Sequence, residues 1–188
     1  MAMKRALLIL AEGAEEMEVV ITGDVLRRAG VEVTYGGLLG GGPVVCARKT
    51  VITPDASFDE ALKSGPHDVL ILPGGMPGSQ SLADSSKVGD AMRSQLSTGG
   101  ILAAICAAPI ALASHKIAPG STITSYPGVR NKLEEAGYTY SDARVVVDGK
   151  LVTSRGPGTA FEFALKLVEM LIGDKEVAKL NKAMLIPK

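Results

Sequence analysis

Two rhythms of apolar residues alternate along the chain. Arg5 to Leu10, Val69 to Leu72 and Ile101 to Ile105 are short, nearly unbroken apolar runs. Such runs predict strands buried on both faces, as in a parallel sheet. Between the runs, hydrophobic positions recur every three or four residues. In Glu15 to Ala29 they are Met17, Val20, Ile21, Val25 and Leu26, and Gly30 follows as a natural helix stop. Val31 to Tyr35 instead alternates apolar with polar, a strand with one wet face. Ser57 and Glu60 have the spacing of a capping box that opens a helix through Lys63. Further helices are predicted over Ser85 to Leu96, Ala107 to Ser114 with Pro109 tolerated in its first turn, Val129 to Glu135, Thr159 to Leu171 and Lys175 to Ala183. Val44 to Cys46, Val51 to Thr53 and Thr122 to Ser125 read as short strands. Asp148-Gly149 joins Val145 to Val147 and Leu151 to Ser154 as a hairpin. The glycine pairs 36-37, 74-75 and 99-100 read as strand-end turns. Alternating βα units of this kind predict an α/β fold, a three-layer αβα sandwich around a mainly parallel central sheet.

Composition narrows the partners more than the fold. The 188 residues are expected to form one domain spanning 1–188, since a domain takes about 150 residues. Lys and Arg number 20 against 20 Asp and Glu, with no block of like charge. The chain therefore lacks the field that drives non-specific nucleic-acid or membrane binding, and neither partner is expected. Its apolar stretches are too short or too interrupted to cross a bilayer, and the opening Met-Ala-Met-Lys-Arg-Ala lacks a signal-peptide core. A cytosolic protein is predicted. Cys46 and Cys106 are the two cysteines, without a CxxC spacing. There is no HExxH, no Cys/His cluster and no EF-hand loop, so no metal and no cofactor are expected.

In an open parallel sheet, ligands gather beyond the carboxyl ends of the strands. Cys106 is the strongest nucleophile predicted there. It follows a buried strand among small residues, Ala103-Ala104-Ile105-Cys106-Ala107-Ala108, where the chain can turn sharply as in a nucleophile elbow, although the GxSxG form is absent. A helix starting at Ala107 would aim amides and its positive dipole end at the sulfur, favouring the thiolate. The competing reading is a small buried hydrophobe, which is the reading adopted for Cys46 in its strand context. His115 is at the far end of the helix after Cys106, and His67 precedes a strand at the opposite pole, so neither forms a dyad. Glu15, Glu16 and Glu18 begin a helix at the Cys106 end of the sheet. Glu15 and Glu16 read as dipole complements, and Glu18, about a turn beyond Glu15, could face the crevice. Ser154-Arg155-Gly156-Pro157-Gly158-Thr159 imitates a phosphate cradle but lacks GK[ST], and is expected to pack beside the site.

Several stretches together carry a family likeness: Lys4-Arg5-Ala6-Leu7, Gly13-Ala14-Glu15-Glu16-Met17-Glu18, Leu72-Pro73-Gly74-Gly75, Ala103-Ala104-Ile105-Cys106-Ala107 and Thr153-Ser154-Arg155-Gly156-Pro157-Gly158-Thr159. The chain resembles, almost end to end, the ThiJ/PfpI superfamily and within it the parkinsonism-associated protein deglycase branch. The resemblance implies a flavodoxin-like fold and a homodimer built partly on the first helix. It implies Cys106 as reactive cysteine and Glu18 as its protonated carboxylic partner. Gly74, Gly75 and Ala107 would supply backbone donors, and Arg48 would approach the site near the subunit interface. The implied substrates are small dicarbonyls or glycated proteins, namely methylglyoxal and glyoxal adducts. The alternative is a redox sensor and chaperone-like protector working through Cys106 oxidation. A cysteine amidase or peptidase would need a histidine base that the sequence does not visibly offer. Mitochondrial and nuclear residence, beside the cytosol, would have no evident address in the chain. One departure stands out: better-known members carry histidine where this chain has Tyr126. A phenol donates a hydrogen bond but is a poor base at neutral pH.

Overall fold

A computed structural model describes Met3–Ile186. Its elements are β1 (Arg5–Leu10), α1 (Glu16–Arg28), β2 (Glu32–Gly37), β3 (Val44–Val45), β4 (Val51–Ile52), β5 (Ala56–Ser57), α2 (Phe58–Lys63), β6 (Val69–Leu72), α3 (Met76–Asp84), α4 (Ser86–Ser97), β7 (Ile101–Ile105), α5 (Pro109–Ser114), β8 (Thr122–Ile123), α6 (Arg130–Glu135), β9 (Thr139–Tyr140), β10 (Val145–Asp148), β11 (Leu151–Ser154), α7 (Ala160–Leu171) and α8 (Asp174–Ala183).

The main sheet runs β10-β11-β7-β6-β1-β2-β5 and is parallel except for the β10–β11 hairpin. Its central strands are the apolar runs. Ala6 to Leu10, Val69, Ile71, Leu72 and Leu102 to Ile105 have no exposed surface, because parallel strands are covered by helices on both faces. Of those helices, α1 and α8 both pack on α7, and α4 and α5 both pack on α3. Right-handed crossovers place the two groups on opposite faces. The result is a three-layer αβα sandwich. Counting only β1, β2, β6, β7 and β11, the spatial order is the 2-1-3-4-5 of flavodoxin-like sheets.

That order has a consequence for function. The chain leaves β1 toward β2 and leaves β6 toward β7, in opposite directions, and a crevice opens between the two strand ends. Register puts Leu8 of β1 beside Ile71 of β6, and Leu72 beside Ala104 of β7. The loops after β1, β6 and β7 therefore emerge side by side.

Local signals hold in most elements. The Ser57 capping box forms, with Ser57 Oγ accepting from the Glu60 N–H and Glu60 accepting from the Ser57 N–H. Gly149 turns the β10–β11 hairpin at φ +60°. Three expectations change. Gly36 and Gly37 are the last residues of β2 rather than a turn, and pair with both β1 and β5. Met76–Asp84, where the pattern predicts no element, is helical, since Pro77 falls in the first turn, where its missing N–H costs nothing. The helix after Cys106 begins at Pro109 rather than Ala107.

Candidate active site

Cys106 follows β7 directly and adopts φ +62°, a left-handed conformation that is strained for a residue with a Cβ. Its neighbours hold it there: the Cys106 N–H donates to Ser154 O at 3.0 Å, and the Tyr126 N–H donates to Cys106 O at 2.8 Å. The sharp turn expected from the small residues around it is present. It places the thiol at the C-terminal edge of the sheet, 9 % exposed.

Glu18, on the first turn of α1, is fully buried beside the sulfur. Its Oε2 accepts the Gly74 N–H at 2.7 Å, and its Oε1 has no hydrogen-bond partner among the described residues. Gly74 makes the approach possible. A Cβ there would lie 2.5 Å from Cys106 Cβ, 2.6 Å from Glu18 Oε2 and 3.0 Å from Cys106 Sγ. Gly75 is needed for a second reason: its φ is +85°, and a Cβ would meet Gly13 O at 2.3 Å. The Gly75 and Ala107 amides act on the sulfur, whereas Gly74, expected to offer its N–H to the cavity, gives it to Glu18.

Electrostatics corrects one expectation. Burial raises Glu18 from its ordinary 4.5 to about 7, against the opposing pull of the Gly74 N–H. Burial first, and the Glu18 charge second, push the Cys106 thiol up to about 12, while the Gly75 and Ala107 amides pull it down. A helix dipole does not ionise this sulfur by itself, because α5 is short and starts three residues later. The two groups instead titrate as a coupled pair, in which a charge on one opposes a charge on the other. When Glu18 holds a proton, the repulsion that opposes the thiolate vanishes and the two amides face burial alone. When Glu18 is charged, it is a base tuned near neutrality that adjoins a thiol.

The sulfur opens on a cavity of about 350 Å³, lined among others by Glu15, Arg48, Met76, Tyr126 and Pro157. Thus Cys106, Gly75, Ala107, Arg48 and Tyr126 share one cavity, and Glu18 stands behind the sulfur. Tyr126 is half-exposed, and Gly128 makes room for its ring, since a Cβ there would lie 2.7 Å from Tyr126 Cε1. The loop 154–159 contributes Pro157 and is knotted by Thr159 Oγ1, which accepts the Arg155 and Gly156 N–H groups at 3.1 Å.

A comparison with known proteins fits this geometry. The model of the DJ-1/PfpI family matches residues 4–170. The chain belongs to the DJ-1/PfpI family. The Parkinson disease protein 7 homolog of Danio rerio is 54% identical over 189 residues, covering 100% of both chains. The solved structure of Drosophila melanogaster DJ-1beta has a TM-score of 0.96 and 52% identity, again over 100% of each chain. The glutathione-independent glyoxalase DJR-1.2 of Caenorhabditis elegans is 43% identical over 188 residues, 100% of this chain and 99% of the relative.

In this DJ-1/PfpI chain the histidines stay away from the sulfur. His115 ends α5 with Nε2 3.2 Å from Leu82 O, and His67 lines a different cavity with Lys4 and Asp68. Cys46 is buried in the β3–β4 excursion and pushed up to about 11 by burial and by Glu16, Glu12 and Glu15. No helix among the described residues is long and apolar enough to cross a membrane. Sequence reasoning did not anticipate Glu15 in the cavity lining, nor that Glu16 is buried. First-turn acids are so common that neither residue gave a signal.

Proposed function

We propose that the protein is a cofactor-independent, cysteine-dependent glyoxalase and protein deglycase acting on methylglyoxal and glyoxal adducts. One observation carries the reading: a cysteine held in a left-handed turn beside a carboxyl that titrates at about 7, opening on a cavity. The relative named a glutathione-independent glyoxalase, 43% identical over the whole chain, supports it. Cys106 Sγ attacks the aldehyde carbon and its proton passes to Glu18, a base of suitable strength at neutral pH. The Gly75 and Ala107 amides stabilise the oxyanion of the hemithioacetal. Hydrogen then shifts between the two former carbonyl carbons, and water releases lactate and restores the thiol. The aldehyde carbon is oxidised as its neighbour is reduced, so one water enters and no external oxidant or reductant is consumed. For a glycated protein the released group is the amine or thiol. Replacing Cys106 by Ser should abolish lactate formation by the purified protein, and unchanged turnover would end the reading.

A second reading, an oxidant sensor, draws on the same donors. A sulfinate on Cys106 would accept from the Gly75 amide and from protonated Glu18, which would hold oxidation at that stage. We further propose a homodimer on the exposed apolar face of α1. Met17 is 51% and Val20 48% exposed, and Val51 of β4 is 58% exposed. Met17→Glu with Val20→Glu should yield monomers in sedimentation velocity; an unchanged dimer would refute the assignment.

A further inference from the structure

Arg48 reaches the cavity from a loop that has no secondary structure of its own to hold it. The loop between β3 and β4 turns through Lys49 at φ +75° and is closed by the Cys46 N–H donating to Thr50 O at 2.8 Å. Besides the β3–β4 pairing and the Lys49 N–H donating to Cys46 O at 3.0 Å, the bonds that fix it come from the segment after β1. Gly13 N–H donates to Val45 O at 2.9 Å, Ala47 N–H to Ala14 O at 2.8 Å, and Val45 N–H to Glu12 Oε2 at 3.1 Å. The last tie is Glu16. Its carboxylate accepts the Arg48 N–H on both oxygens, at 2.9 and 3.1 Å, and the Thr50 N–H at 3.4 Å.

Glu16 is the first residue of α1, where an acid ordinarily just complements the helix dipole from a solvated position. This one is only 8 % exposed and faces the loop amides. Burial opposes its charge, but its own backbone N–H, then the Thr50 N–H and hydroxyl, and then the Arg48 N–H hold it below the usual carboxylate range. A charge-assisted hydrogen bond to the amide of Arg48 sets where that residue's Cα sits, and so the point from which its exposed side chain extends beside the cavity that Arg48 lines.

We infer that Glu16 is a positioning residue: through the amides of Arg48 and Thr50 it holds the Arg48 guanidinium at the mouth of the Cys106 cavity, where it draws anionic or carbonyl-bearing reactants toward the sulfur. The inference rests on Cys106 being the reactive thiol, and its test separates the two claims.

The rates of Cys106 alkylation by iodoacetate and by neutral iodoacetamide, read by peptide mass spectrometry, give a ratio that reports positive charge at the mouth. Glu15, which lines the cavity, and Glu18, which adjoins the sulfur, are present in every variant, so comparison between variants isolates Arg48. Arg48→Ala should lower the ratio several-fold. Glu16→Ala should lower it by a similar factor, Glu16→Gln by less, and the double variant no further than Arg48→Ala. The sign discriminates, because removing the Glu16 charge without displacing Arg48 would raise the ratio. Amide hydrogen exchange provides the second measurement: Arg48 and Thr50 should exchange at least tenfold faster in Glu16→Gln, a near-isosteric change. A ratio that rises or stays level in Glu16→Ala, additivity in the double variant, or unchanged exchange would each overturn the assignment. If neither reagent modifies Cys106, the reactive-cysteine reading falls, and the exchange rates alone decide the role of Glu16.

Discussion

Cys46 lies in the loop that follows β3, surrounded by the carboxylates of Glu12, Glu15 and Glu16, and Cys106 lies at the end of β7 against Glu18 and two amides. Both are buried, and in both burial raises the thiol, to about 11 and about 12. Titration taken alone would rank Cys46 as the readier nucleophile. The difference lies in the neighbours. The acids that act on Cys46 repel a thiolate without an amide to offset them, whereas Cys106 has Gly75 and Ala107 donors and a carboxyl raised to about 7 that can take its proton. A reactive cysteine is thus distinguished by where its proton can go during attack rather than by how easily it ionises at rest.

The comparison can be broken most severely at Glu18. Glu18→Gln cannot accept the thiol proton, so turnover should fall by about 10²–10⁴-fold while Cys46→Ala leaves it within twofold; kcat/KM for methylglyoxal across pH checks both. The wild-type profile should rise through pH 7 as Glu18 loses its proton, and that limb should be absent from the Gln variant. Stability should respond as well. The folded-state value of Glu18 is raised, so the native state binds this proton more tightly than the unfolded chain does. Its contribution is complete below about 4.5 and is lost as pH rises through about 7. Relative to Glu18→Gln, wild type should lose about 3 kcal/mol over that window, read by urea unfolding at several pH values.

Oxidation compares the two sulfurs directly. After mild peroxide, a dioxygen adduct should form on Cys106 at least tenfold faster than on Cys46, and equal labelling would remove the distinction. Gly74→Ala attacks the contact between thiol and carboxyl, because the added methyl would enter the space held by Cys106 Cβ and Glu18 Oε2. Overpacking of this kind costs about 1–3 kcal/mol in denaturation and should displace the pair, lowering turnover with it. The mildest change is Tyr126→His. It puts a base of ordinary pKa about 6.5 at the cavity, so the pH–rate profile should gain a second limb while kcat at neutral pH moves only several-fold. A profile of unchanged shape would show that position 126 plays no part in proton transfer.

How far the chain could be read differs by element. The strands β1, β6 and β7 were legible because a strand covered on both faces has to be apolar throughout. The capping box of α2 was legible because it is a contact between residues three apart. Helix α3 was hidden, since Pro77 and Gly78 suit a turn as well as they suit the start of a helix. Cys106 could be picked out by its place after a buried strand, but its environment could not. The boundary of α5 moved by two residues, and the coupling to Glu18 took over the role expected of the dipole.

By itself, the order of residues determined the layered α/β architecture, the strands that fill its centre, and a short set of side chains at one pole, because these follow from burial patterns and from near-neighbour contacts. Only the folded structure decided which of those side chains interact. Glu18 meets Cys106 across 88 positions, with Gly74 supplying the gap between them, and Glu16 rather than Glu15 grips the Arg48 loop. Such choices depend on how loops from three adjacent strands converge at the crevice, and on the direction each carboxylate takes there. Periodicity along a chain does not encode either.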